Sequence, residues 1–317
     1  MDPISRRKFV VLAASGIVAA PLTLRAVSGR GSVTAQEVVD RIEKQLGAAW
    51  KPNSGDTFKA GDPSTVVTGI VTTALASLDV LGQAVKAGAN LIVTCEPVFY
   101  SHADTPAPPV RRRFQRGADG KFVLLPPPPG PPPADPVFTA KQDFIQKHNL
   151  VVWRFSENWR LRTPNPYTQG LATALGWSKY ASAGNPAQVS IPESSLQALA
   201  LHVKASLRAR GGMRIVGHPQ LKVRKVAFLP GSTPIQASLQ TLPEVDTVIA
   251  GEVREWESVE YVRDTVDLGG RKALILVGRI VSEEPGMRVC ARWLNTIVPE
   301  VKSTSISAGD PYWRPTA

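Results

Sequence analysis

Val66-Val67-Thr68-Gly69-Ile70-Val71-Thr72 and Leu91-Ile92-Val93-Thr94 are two β-branched runs, and the segment between them places Leu78, Leu81 and Val85 on one helical face before a stop at Gly88. This reads as strand, helix, buried strand: a β-α-β unit, whose two strands must lie parallel. The pattern recurs. Val226 to Leu229 is a strand, Ile235 to Leu242 a helix and Thr247 to Ala250 a strand. A helix around Val259 and Tyr261, the strand Ala273 to Val277 and a helix through Met287, Cys290 and Trp293 complete that half. Between the halves come a helix through Phe138 and Phe144, the strand Leu150 to Phe155, a helix with Leu171, Leu175 and Trp177, and the amphipathic helix Leu196 to Leu207. Alternating strands and helices specify an α/β fold of two similar lobes, each a mostly parallel sheet covered by helices.

The segments that precede and interrupt these lobes are of other kinds. Ser5-Arg6-Arg7-Lys8-Phe9 sets two arginines before the apolar run Val10 to Leu24, which is too short to span a bilayer stably. Residues 1–35 are therefore expected to be a signal peptide of the twin-arginine (Tat) type, sending the protein to the periplasm or another extracytoplasmic space, with an ordinary secretory signal or an uncleaved anchor as alternatives. Thr34-Ala35-Gln36-Glu37 reads as a capping box for a helix carrying Val38, Val39, Ile42 and Leu46. Residues 36–190 form the expected first lobe and 191–317 the second. The proline-rich, basic insertion 104–136 is expected to favour polyproline II and to stay outside the core.

The chain has 317 residues, 43% of them hydrophobic and 20% charged, which describes a globular protein with a sizeable core. Its formal net charge of +11 is concentrated in the leader and in Arg111, Arg112, Arg113, Arg116 and Lys121 of the insertion. No nucleic-acid-binding motif accompanies that charge, so nucleic acid is not an expected partner. Two cysteines, Cys95 and Cys290, are too few for a disulfide scaffold, although a single bridge is open to them. No membrane span is expected once the leader is cleaved.

Parallel sheets bind ligands beyond the carboxyl ends of their strands. Cys95, Glu96 and Pro97 follow one buried strand, with His102 close behind. Ser156 and Glu157 follow another; Glu252 and Glu255 follow a third; Arg279, Glu283 and Glu284 follow a fourth. Glutamates gathered at one edge repel unless a cation lies among them, so the pattern calls for a metal or an arginine. Each has a plainer reading: Cys95 as a small buried hydrophobe, and Glu252, Glu255 and Glu283 as carboxylates at helix starts.

At these residues the chain resembles the Nif-three-like family, also described as GTP cyclohydrolase I type 2 homologues or dinuclear metal centre hexameric proteins. The resemblance rests on Gly61-Asp62-Pro63, Val67-Thr68-Gly69-Ile70 and Ala89-Asn90-Leu91-Ile92-Val93-Thr94. Glu96-Pro97, Phe99-Tyr100, Gly251-Glu252, Arg254-Glu255-Trp256-Glu257, Ser282-Glu283-Glu284 and Gly286-Met287 resemble an exported bacterial branch. The resemblance implies a homohexamer and two divalent metal ions of the zinc, iron or manganese class in each subunit. It implies a metal-dependent hydrolase, with Cys95, Glu96, Glu157 and Glu283 as ligands and His102, Glu252 and Glu255 as catalytic groups acting on an unknown small molecule. The family's histidines are missing, however. Cys95, Ser156 and Arg279 stand where histidine is expected, which weakens or abolishes the metal site. A non-catalytic member that has lost its metals but still binds a ligand or partner is the alternative.

Overall fold

The computed structural model describes residues 31–102, 104–105, 113–126, 135–209 and 212–315. The expected leader and the most proline-rich parts of the insertion lie outside these. In chain order the elements are α1 (Ala35–Leu46), β1 (Phe58–Ala60), β2 (Ile70–Thr73), α2 (Leu78–Lys86), β3 (Leu91–Thr94), β4 (Phe114–Arg116) and β5 (Phe122–Leu124). Then come α3 (Pro136–Lys147), β6 (Val151–Arg154), α4 (Glu157–Arg160), α5 (Pro166–Ala174), β7 (Ala181–Ser182), β8 (Asn185–Ser195) and α6 (Leu196–Leu207). The chain ends with β9 (Arg214–Val216), β10 (Lys222–Ser232), α7 (Ile235–Thr241), β11 (Thr247–Glu252), α8 (Glu260–Asp267), β12 (Ala273–Leu276), α9 (Arg279–Ile297) and β13 (Ser303–Ser305).

The first sheet has the order β1-β6-β3-β2-β13, parallel throughout except for the edge strand β1. Its side chains divide by the two-residue period of a strand. Ile70, Leu91 and Val93 face a core shared with Val38 and Ile42 of α1 and with Met287, Cys290 and Leu294 of α9. Val71, Ile92 and Val152 face Leu81 of α2 and Phe138 and Ile145 of α3. Fully burying a side chain of this size stabilises by roughly 1.5–3 kcal/mol, so both faces hold the sheet.

The second sheet has the order β7-β8-β10-β11-β12-β9. Its centre, β10-β11-β12, is parallel, while β8 and β9 flank it antiparallel. Val226, Phe228, Ile249 and Ile275 pack against Leu196, Leu199 and Val203 of α6. Ala227, Val248 and Leu274 pack on the other face with Val262 of α8.

Two features of the strands depart from the sequence-based expectation. β13 pairs in parallel with β2, so residues 303–305 complete the first sheet although they follow the second lobe in the chain. Within the insertion, β4 and β5 form an antiparallel hairpin rather than polyproline throughout, because Phe114-Gln115-Arg116 and Phe122-Val123-Leu124 flank an Asp119-Gly120 turn. The capping box at Thr34 is present, with Glu37 N donating to Thr34 Oγ1 at 3.2 Å and Thr34 N to Glu37 Oε2 at 2.7 Å. Val33 and Ala35 are buried, so cleavage after residue 35 would strip this cap from the packed body. Finally, Cys95 and Cys290 are both free and buried. Among the described residues, no helix is long and apolar enough to cross a membrane.

Candidate functional site

Seven side chains and a glycine, from five chain segments, meet between the lobes. β3 runs straight into Cys95 and Glu96, and Pro97 fixes the backbone just as the glutamate leaves the core. The first turns of α9 supply Arg279, Ser282 and Glu283. α4 supplies Arg160 and α5 supplies Tyr167. The carboxyl end of β10 supplies Gly231, whose φ of 82° lies in the left-handed region. A Cβ there would stand 2.6 Å from Glu283 Oε1, so only glycine lets the strand end pass the carboxylate. Gly231 N donates to Ser282 Oγ at 2.9 Å, and that hydroxyl donates to Arg279 O at 2.6 Å, which fixes the start of α9.

Charge is matched pair by pair. Arg279 Nε donates to Glu96 Oε1 at 2.8 Å, and Arg160 Nη2 donates to Glu283 Oε1 at 2.9 Å. Arg160 also lies 4.5 Å from the centroid of the Tyr167 ring. Cys95 Sγ donates to Glu283 Oε2 at 3.5 Å. Glu283 is almost wholly buried, at 1% exposure. Burial, then the neighbouring Glu96 carboxylate, push its carboxyl up to about 8, outweighing the two arginines that pull it down. Burial, then Glu283 and Glu96, hold the Cys95 thiol well above its ordinary value, so the thiol keeps its proton.

Of the residues singled out in the sequence, Cys95, Glu96, Glu283 and Arg279 are brought together. Candidate donor atoms of Cys95, Glu96 and Glu283 lie within 4.8 Å of one another, a spacing that suits one metal ion. His102 is exposed at the rim of a cleft of about 270 Å³ that also contains Glu96 and Arg279. Glu252, at the end of β11, is exposed but acts electrostatically on Arg279. Glu157 stands apart. Asp56 takes the backbone N–H groups of Ser156, Glu157 and Asn158 at 2.7, 3.1 and 2.7 Å, and the exposed Glu157 side chain accepts from Gly55 N. Glu255 also stands apart, exposed and paired with Arg214.

The two metal ions that the resemblance implies do not fit these residues as they stand. Both carboxylates already receive guanidinium donors, and histidine is absent from the group. Metal ligation needs carboxylate lone pairs that those donors occupy. Two further cations would also have to displace or abut two fixed positive charges.

The sequence pattern gives no sign of Asp56, Tyr167 or Lys141. Asp104 Oδ1 accepts from Val98 N at 2.6 Å and Phe99 N at 2.8 Å. Lys141, at 1% exposure, donates from Nζ to Val98 O at 2.6 Å and lies 5.0 Å from the Tyr100 ring centroid. Together they clamp the loop that carries Tyr100, Ser101 and His102 to the cleft. Tyr100 takes a φ of 58° there, a costly conformation for a bulky residue that its surroundings must impose.

No family model matches the chain, and no curated protein matches its sequence. Solved structures do match its fold. The hypothetical protein SA1388 of Staphylococcus aureus superposes with a TM-score of 0.62 at 13% identity, covering 90% of this chain and 100% of its own. A Bacillus cereus protein related to NIF3 gives 0.60 at 14% identity, covering 90% of this chain and 100% of its own. The protein ybgI, of unknown function, gives 0.63 at 18% identity, covering 88% of this chain and 100% of its own. The chain therefore has the NIF3 fold.

Proposed function

We propose that this protein is a NIF3-fold binding protein in which two arginines take the place of a dinuclear metal centre, and that it receives a small molecule in the cleft beside Glu96 and Arg279. The observation that carries this reading is the double ion pair, Arg279 with Glu96 and Arg160 with Glu283, inside the glutamate cluster. The carboxylates are buried and the guanidiniums about a third exposed, so losing an arginine leaves a buried carboxylate without its partner, at a cost below the roughly 3–5 kcal/mol of a fully buried pair. A second reading is favoured by one observation, the spacing of Cys95, Glu96 and Glu283. In that reading these residues hold a single ion of a metal-dependent hydrolase.

Elemental analysis of protein purified without chelator separates the two. The expected result is divalent metal well below one ion per chain. Introducing Cys95→His, Ser156→His and Arg279→His together is then expected to raise metal uptake. Tightly bound metal at one or two ions per unmodified chain would overturn the reading in favour of the hydrolase.

A further inference from the structure

The cleft beside the double ion pair has donors left over. Arg279 uses Nε on Glu96, and among the described residues no acceptor lies within hydrogen-bonding reach of its Nη1 or Nη2. Its side chain is 32% exposed, toward the cleft it lines. Ser101, which also lines the cleft, has a hydroxyl that is out of contact with solvent and without a hydrogen-bond partner. A buried hydroxyl left unpaired costs about 1–3 kcal/mol, so an orphan at a cleft wall points to a missing ligand atom. His102 adds a titratable donor at the same rim. α9 begins in this wall with Gly278 at its N-cap, so no side chain caps its amino terminus. Leu75, Pro97 and Ile280 supply apolar walls, and Tyr100 an exposed ring.

These groups share one preference. A guanidinium with both terminal nitrogens free presents parallel N–H bonds matched to two oxygens of a carboxylate or phosphate. A hydroxyl and the positive end of a helix favour the same partner. The carboxylates that oppose an anion already have guanidinium partners: Glu96 in Arg279, and Glu283 in Arg160. Glu252 remains as the acidic group that also acts on Arg279. The cleft volume of about 270 Å³ suits a metabolite of modest size.

We propose that the cleft is an oxyanion site, taking a small carboxylate or phosphate monoester between the Arg279 guanidinium, Ser101 and His102, with Tyr100 against its body. The proposal rests on the metal-free reading above and names the ligand class of that same site. The clamp formed by Lys141 and Asp104 then has a purpose, since it fixes the loop bearing Tyr100, Ser101 and His102 against the energetic preference of Tyr100.

Calorimetric titration of the purified, metal-analysed protein with inorganic phosphate, and separately with benzoate, tests it at constant ionic strength in chloride. One of the two is expected to bind saturably. Arg279→Lys, which keeps the charge but loses the fork, is expected to weaken that binding at least tenfold, and Ser101→Ala and the exposed His102→Ala each severalfold. Near-ultraviolet circular dichroism checks that each variant keeps the native fold. Saturable binding of neither probe overturns the oxyanion site while leaving the metal-free reading intact. Equal binding by wild type and folded Arg279→Lys overturns it as well. Phosphate binding that disappears when a chelator strips metal from the protein overturns both, because the anion was then held by an ion.

Discussion

Lys141 is the side chain whose environment differs most from what its residue type predicts. An ammonium is strongly hydrated, yet this one is buried beneath Tyr100 with Val98 O as its hydrogen-bond acceptor and Asp104 nearby. Burial lowers its proton affinity to about 8, against the partial restoring effect of Asp104. The unfolded chain, with an ordinary lysine near 10.5, therefore binds more protons than the folded one between about pH 8 and 10.5. Stability contributed by this group is present above 10.5, is lost as pH falls toward 8, and changes little below that. At roughly 1.4 kcal/mol per pH unit, the span amounts to about 3 kcal/mol. Urea unfolding across pH 7–11 should show this rise in the wild type, relative to Lys141→Met, in which the slope is removed. Identical pH profiles for the two proteins would show that the ammonium is solvated after all.

α4 is short, but it carries Arg160 to Glu283, and Asp56 is what holds it. One carboxylate satisfies three consecutive N–H groups at the start of that turn and also accepts from Asn158 Nδ2 at 3.1 Å. Asp56→Ala leaves those donors without their acceptor and should cost about 3 kcal/mol, at 1–3 kcal/mol per unpaired buried group and allowing for partial hydration. Differential scanning calorimetry should register this as a fall of several degrees, whereas the exposed Glu157→Ala should change little. Equal, small effects from both would show that α4 is not held by this carboxylate. The contrast explains what could be read from sequence. α6 is Leu196–Leu207 in the structure, as its apolar spacing predicts, and β3 is the predicted Leu91–Thr94. Periodicity is a local property, and it survives folding wherever a face is buried. Cys95, Glu96, Glu283 and Arg279 were legible because each follows a buried strand. Asp56 was not: Pro52-Asn53-Ser54-Gly55-Asp56 has the composition of a solvated turn, and only the approach of α4 from about a hundred positions away makes it a buried cap. β8, β9 and β13 lack the alternation or length that marks a strand, being recruited by neighbours already in place. Glu157 was misplaced for the converse reason, since its position after a strand is right but the cap at Asp56 leaves its side chain outside the cluster.

Over the whole chain, the expectations of export and assembly rest on sequence: the Arg6-Arg7 pair before a short apolar run, and the resemblance to hexameric proteins. Among the described residues burial begins at Val33, so cleavage before that point would leave the cap of α1 in place. One fractionation experiment tests both. Wild-type protein should be recovered from the periplasm and show a hexameric mass by light scattering, while Arg6→Lys with Arg7→Lys should retain it in the cytoplasm. Unchanged export of the double variant would rule out the twin-arginine route, and a stable monomer at micromolar concentration would rule out the hexamer.

The parallel pairing of β13 with β2 has a consequence for synthesis. A ribosome delivers α1, β2 and β3 early, yet the face of their sheet that turns toward Met287, Cys290 and Leu294 is covered only in part, by Val38 and Ile42 of α1, until α9 emerges. The nascent amino-terminal half therefore keeps part of the core around Ile70, Leu91 and Trp153 open while the second lobe is made. A stop codon placed before residue 279 is expected to leave the first sheet without α9 and β13, its core open on that side.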